Sequence, residues 1–294
     1  MSNETVLRSS GVTTTILGVL NQFQSFVNLS YNAMPRTTLN AKYSVSSING
    51  VDLTAAAYTP TLKYFGVGTK GFQNMNLQQS AIPFPGDARC MDLYAPIPFR
   101  CVPVDSDLTT VERKKYRMRV TKTIGGVTYA LYYLKMIDFS GTIDIVRKDA
   151  SGDEHAFSLN EAWLTPNVPD MNQIGGNINT NTNRVIVRAT GECVVTHEEI
   201  MEAVSVLYNN DLDYARISEI GYYTGYDVGF NPANANEYEY EPTMLADTWY
   251  AEAAYVQLAK HHCFRGSELY TAGSYIKPKV SLESECCILT STEA

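Results

Sequence analysis

A chain of 294 residues, 45% hydrophobic and 18% charged with a formal net charge of −8, can bury a sizeable core. It is too acidic for its whole surface to wrap nucleic acid, because neutralising phosphates needs an excess of lysine and arginine. No run approaches the about 18–20 apolar residues of a membrane span, and the first 15 residues, with Glu4 in a polar run, lack the regions of a signal peptide.

We therefore expect synthesis and folding in a cytosol, with no membrane partner. Twenty tyrosines, with frequent Asn and Thr, replace the missing charge. That mix suits surfaces covered by partners and equally suits ordinary β-structure.

From the N-terminus, residues 11–29 place Ile16, Leu17, Leu20, Phe23 and Val27 on one helical face, so an amphipathic helix is predicted over 13–28. Residues 41–48 read as a strand closed by the Asn49-Gly50 hairpin turn. A second strand-like stretch spans 58–71 and ends in the string GVGTKG. A phosphate cradle would need Ser or Thr after the lysine and then a helix; Lys70 is followed instead by Gly71, Phe72 and Gln73. The glycines are thus expected to serve bulges or close backbone approach.

Five prolines between 81 and 103 predict an ordered connector crossing a surface. The clearest element follows at 115–134: Tyr116, Met118 and Val120 alternate with Arg117, Arg119 and Thr121, Gly125-Gly126 turns the chain, and Val127, Tyr129, Leu131 and Tyr133 resume the alternation. Period two places Arg117 and Arg119 together on an outward face.

A strand at 141–147 and a turn at 149–153 come next, then an Asn/Thr-rich loop or arm at 165–183. Regular structure restarts at 184–195. Thr196, with Glu198 and Glu199 in the first turn, caps a helix running to about 209. Residues 217–230 are strand-like, 231–242 a loop carrying Glu237, Tyr238, Glu239, Tyr240 and Glu241, and 276–289 a half-buried strand. For 249–263 periodicity allows helix or strand. The predicted class is α+β, predominantly antiparallel β with a few helices, in three segments: 1–80, 81–164 and 165–294.

Catalytic signatures are missing. There is no GxSxG turn, and four histidines at 155, 197, 261 and 262 are scattered; His155 falls in a turn and His197 at a helix start. His261, His262 and Cys263 are the only clustered metal-capable residues, but neighbours in sequence cannot all face one ion in regular structure. No matching ligand pair stands at a zinc-type spacing, so neither metal nor cofactor is expected. The six cysteines, at 90, 101, 193, 263, 286 and 287, form no CxxC pair and are expected to be mostly buried thiols.

The basic strip Arg113, Lys114, Lys115, Arg117, Arg119 admits three readings: a subunit contact complementary to the acidic Tyr/Glu strip, a solvated edge that resists sheet pairing, or a phosphate contact. The residues expected to mediate interaction are Arg113, Lys115, Arg117, Arg119, Tyr129, Tyr133, Glu237, Tyr238, Glu239 and Tyr240.

The strings TPTLKYFGVGTKGF (59–72), APIPFRCVPVDSDLTTVERKKYRMR (95–119) and AEAAYVQLAKHHCFRG (251–266) resemble stretches of structural proteins of tailed bacteriophages, of neck, tail or baseplate type. The resemblance implies a non-enzymatic, multi-copy virion part, assembled in the host cytoplasm, whose partners are copies of itself and other virion proteins rather than nucleic acid. A capsid or capsid-decorating protein differs from this only in location. An alternative of another class is a carboxylate-dependent glycan hydrolase of a virion.

Overall fold

The computed structural model describes residues 9–14, 60–73, 82–83, 88–139, 144–149, 151–157, 183–230, 238–240, 250–269 and 271–288. The predicted 41–50 hairpin, the loop preceding 183 and most of the predicted N-terminal helix lie outside them. The chain divides into two compact units, residues 1–137 with 193–278, and 138–192 with 279–294. They are interleaved along the sequence and do not coincide with the three consecutive segments expected above.

The first unit holds β1 (Ser9–Thr14), β2 (Thr61–Gly68), β3 (Phe72–Gln73), β4 (Ile82–Pro83), β5 (Pro96–Ile97), β6 (Arg100–Pro103), β7 (Tyr116–Ile124) and β8 (Val127–Met136). The second holds β9 (Asp144–Lys148), β10 (Glu154–Ala156), β11 (Asn183–Glu192) and, at the C-terminal end of the chain, β17 (Lys279–Ile288). Between them in sequence, and back in the first unit, come β12 (Val195–Thr196), β13 (Arg216–Phe230), β14 (Tyr238–Tyr240), β15 (Tyr250–Glu268) and β16 (Tyr275–Ile276). The helices of the described residues are α1 (Thr110–Arg113) and α2 (His197–Leu207), both in the first unit.

Antiparallel β-structure therefore dominates, as predicted. Three departures from expectation are plain. Residues 13 and 14 belong to a strand, β1, paired with β15, so no helix begins there. Residues 238–240 are a strand on the end of β13 and not loop. The ambiguous 249–263 stretch is strand β15: long antiparallel pairing with β13 decides what alanine-rich periodicity could not.

The nine-stranded sheet of the first unit runs β1-β15-β13-β2-β8-β6, with β14 beside β13, β5 beside β2 and β7 beside β8. Its centre is β13, buried on both faces from Ile217 to Gly229. Such a strand normally reads as an unbroken apolar run, and Ile217, Ile220, Tyr222, Tyr223, Tyr226 and Val228 supply most of one. Ser218, Glu219, Thr224 and Asp227 are buried with them. A buried polar group is tolerated only when bonded, and each of these four has a partner: Ser218 Oγ accepts from Gly71 N at 3.0 Å, and Thr224 Oγ1 donates to the Gln257 carbonyl at 3.5 Å.

Ala88, Arg89 and Tyr94 are exposed, but from Pro96 to Pro103 the proline-rich segment enters the sheet. β2 meets β8 only at Tyr64 and Phe65, and where the two diverge the chain inserts β5 against β2 and β6 against β8. Proline lacks an N–H, so the bonding falls to residues between the prolines: Phe99 N donates to the Tyr132 carbonyl at 2.9 Å. Ile97 and Phe99 are wholly buried.

Gly125 and Gly126 both take positive φ, +57° and +85°, the geometry that a two-residue hairpin turn requires. Met118 also has positive φ, +53°, a conformation that costs a bulky residue about 1–3 kcal/mol. It breaks the alternation, and Tyr116, Arg117 and Met118 are buried in succession. Arg117 thus points inward, contrary to the period-two reading.

Helix α2 begins as its sequence predicts. Thr196 Oγ1 accepts from Glu199 N at 3.3 Å while Glu199 Oε2 accepts from Thr196 N at 3.1 Å, a reciprocal cap.

In the second unit the sheet order is β10-β9-β11-β17. The 149–153 turn forms as expected, with Asp149 Oδ1 accepting from Ser151 N and Asp153 N. His155 lies just beyond it on β10, its Nε2 2.9 Å from Asp149 Oδ2.

Candidate functional site

Strand β15 sends His261 and Cys263 to one face and His262 to the other, because strand side chains alternate. On β13, Glu219 pairs with Cys263 and Gly221 with His261. The space over the glycine opposite His261 is filled by the Leu258 and Tyr223 side chains. On the other side of β13, Glu219 pairs with Gly68 of β2, and its carboxylate lies so close over that glycine that a Cβ there would strike Oε1. The GVGTKG string thus serves close backbone approach, as expected of it.

Glu219 Oε1 accepts from Ala95 N at 2.8 Å and Oε2 from Tyr94 N at 2.9 Å. His261 Nε2 stands 3.0 Å from Oε2 and 3.6 Å from Cys263 Sγ. The Tyr94 ring leans on the imidazole with centroids 5.1 Å apart, and the Cys90 thiol also stands at that ring. Burial pulls the His261 pKa down, but the two thiols and the Glu219 carboxylate outweigh it and push the value up to about 12. His262, on the opposite face against Phe264, is lowered by burial and by its charged neighbour.

A thiol–imidazole–acid relay needs the acid on one ring nitrogen and the thiol on the other. Here both converge on Nε2, while Nδ1 is buried with no partner. The arrangement is therefore not a relay. Donor atoms of Glu219, His261 and Cys263 all lie within 4.8 Å of one another, which is the geometry of a ligand set. Sequence reasoning flagged 261–263 and missed Glu219, which stands 42 residues upstream.

The residues expected to mediate interaction are dispersed. Arg113 is buried, with Nη2 2.9 Å from Glu252 Oε1. Arg117, 4% exposed, forms a two-pronged pair with Asp227, Nε to Oδ1 at 2.8 Å and Nη2 to Oδ2 at 3.2 Å. Half-buried Arg119 holds Asp107 at 2.8 Å. Lys115 is exposed, Tyr129 half-buried, and Tyr133 packs on the core around Tyr64, Leu134 and Tyr223. Tyr238, Glu239 and Tyr240 form β14; Glu237 lies outside the described residues. Arg113 and Arg117 are thus committed inside the fold.

Beyond Val120 the hairpin changes character. From Thr121 to Thr128 every residue is exposed except half-buried Ile124, and Lys122 is the only charge. Both faces of this tip are bare.

A family described as of unknown function, DUF7208, matches residues 1–265. The chain belongs to that family. No curated protein and no solved structure matches it. The stretch shared with DUF7208 contains the hairpin and all of Glu219, His261 and Cys263. In this DUF7208 chain, then, two features stand apart from ordinary packing: a bare, nearly uncharged hairpin tip and a buried Glu–His–Cys cluster.

Proposed function

We propose that the chain is a non-enzymatic structural component of a bacteriophage virion, in the tail, neck/collar or baseplate, assembling in the host cytoplasm through contacts with copies of itself and with other virion proteins. The hairpin tip is the observation that carries this reading. A two-stranded ribbon exposed on both faces is marginal in water, and among the described residues its edge strand, β7, pairs only with β8. Edges that avoid association carry charges or prolines; residues 121–128 carry one lysine, and Val127 is 44% exposed. Such a ribbon is stabilised when another chain covers it. The three resembling strings also fall into one structural unit, forming β2, then β5, β6 and the start of β7, and most of β15.

A capsid-decorating role has the same physics and differs in location. The glycan-hydrolase reading is weaker, because the buried carboxylates Glu199, Glu219 and Asp227 each hold two or more donors. The test is light scattering after size exclusion, on the full chain and on Ile124→Asp/Val127→Asp. Wild type should form a defined oligomer, and the tip variant should be monomeric with an unchanged circular dichroism spectrum. A wild-type chain that stays monomeric up to its solubility limit, or that cleaves a polysaccharide, overturns the proposal.

A further inference from the structure

We propose that Glu219, His261 and Cys263 are ligands of a structural zinc-type ion, bound at the face of β13 and β15 beneath the 90–95 segment. The two separations at the imidazole nitrogen fit. With bonds of about 2.3 Å to sulfur and about 2.0–2.2 Å to nitrogen and oxygen, tetrahedral ligand atoms lie about 3.6 Å apart for N and S and about 3.4 Å for N and O. The observed values are 3.6 Å and 3.0 Å, so the nitrogen–sulfur pair is already in place and the nitrogen–oxygen pair opens by a few tenths of an ångström.

Charge fits as well. One carboxylate, one thiolate and a neutral imidazole balance a divalent cation, and two protons leave on binding: the one shared by Nε2 and Oε2, and the thiol proton. The mixture of sulfur, nitrogen and oxygen donors suits zinc and not calcium or magnesium, which take oxygen alone. All three side chains are buried, which leaves no open position for a substrate and makes the role structural. Cys90, whose thiol stands at the His261 ring and donates to the Asp92 carbonyl at 2.8 Å, is placed to enter as a fourth donor, releasing its own proton if it binds as thiolate. Its recruitment ties the 90–95 segment to the sheet.

Two measurements on the purified full-length chain test this. Metal content after growth in zinc-supplemented medium should be one zinc per chain. Protein from cobalt-supplemented cells should show the visible bands of tetrahedral cobalt and a near-ultraviolet thiolate charge-transfer band; because the ion enters during folding, supplementation precedes purification. Cys263→Ser and His261→Gln should each weaken binding by more than the about 10–100-fold that losing an outer-shell partner costs. Cys193→Ser, a buried thiol outside the cluster, and His262→Gln, on the opposite face, should keep the ion. A folded wild-type chain without metal overturns the site, as does one whose cobalt spectrum lacks thiolate bands. Retention of the ion by folded Cys263→Ser or His261→Gln does the same. The wild-type cobalt spectrum decides the matter even if a ligand variant fails to fold.

Discussion

Replacing Arg117 by methionine should destabilise the first unit far more than the same change at Arg119, although both arginines belong to one hairpin. The Arg117 guanidinium makes two bonds to Asp227 and three more through Nη1, to the carbonyls of Arg113, Lys114 and Tyr116 at 3.1, 2.9 and 2.8 Å. Methionine fills similar volume and supplies no donor. Asp227, almost fully buried, keeps the Tyr64 hydroxyl at 2.7 Å. Removing one partner of a buried pair costs about 3–5 kcal/mol, whereas the half-exposed Arg119–Asp107 pair is worth about 1 kcal/mol. With an m-value near about 3 kcal/mol/M in urea, Arg117→Met should lower the midpoint by about 1–1.7 M, read by circular dichroism at neutral pH. Adding Asp227→Leu should recover part of the loss, since the uncompensated charge is then gone. An Arg117→Met midpoint no lower than that of Arg119→Met would refute the reasoning. One consequence concerns assembly: loss of oligomers in an Arg117 variant reports unfolding, so contact must be probed at the tip.

Thr196→Ala removes the reciprocal cap of α2 and should cost about 1 kcal/mol, or about 2–4 °C in Tm for a unit of this size; Thr196→Ser should be nearly silent. Gly68→Ala places a Cβ against both the Glu219 carboxylate and the Ala95 carbonyl, the latter 2.7 Å away; overpacking there should cost about 1–3 kcal/mol in urea unfolding. Asp107 is partly buried, which raises its pKa, but the Tyr132 hydroxyl, Leu108 N–H and Arg119 hold it below 3.8. A depressed carboxyl stabilises the fold above its unfolded value and loses that contribution as pH falls through the folded value. The stability gap between wild type and Asp107→Asn should therefore be constant near neutrality and shrink below about pH 4; a gap that widens on acidification contradicts the assignment.

Much of the fold was legible where local chemistry decides. Gly125-Gly126 announces a tight turn because two positive φ values exclude most residues, and Thr196 with Glu199 announces a cap because both partners lie within one turn. Alternation at 276–289 and aromatic, strand-like composition at 217–230 placed strands correctly for the same local reason. Periodicity failed where a partner strand decides: 249–263 satisfies helix and strand alike, and only pairing along β13 selects between them.

Arg117 and Glu219 were hidden for related reasons. The inward turn of Arg117 follows from the φ of Met118, which no pattern of apolar and polar residues encodes, and its partner Asp227 is 110 residues away. For Glu219 the obstacle is register. Strand alternation puts His261 and Cys263 on one face from sequence alone, yet which β13 residue they meet depends on pairing that shifts between Ile217 and Glu219 and again between Tyr222 and Tyr223. A slip of one residue would set Ser218 or Ile220 opposite Cys263 and turn Glu219 to the other face. The same two irregularities that make the cluster unreadable in one dimension are therefore what a bound ion would hold in place, since an ion gripped by β13 and β15 together permits one register and no other.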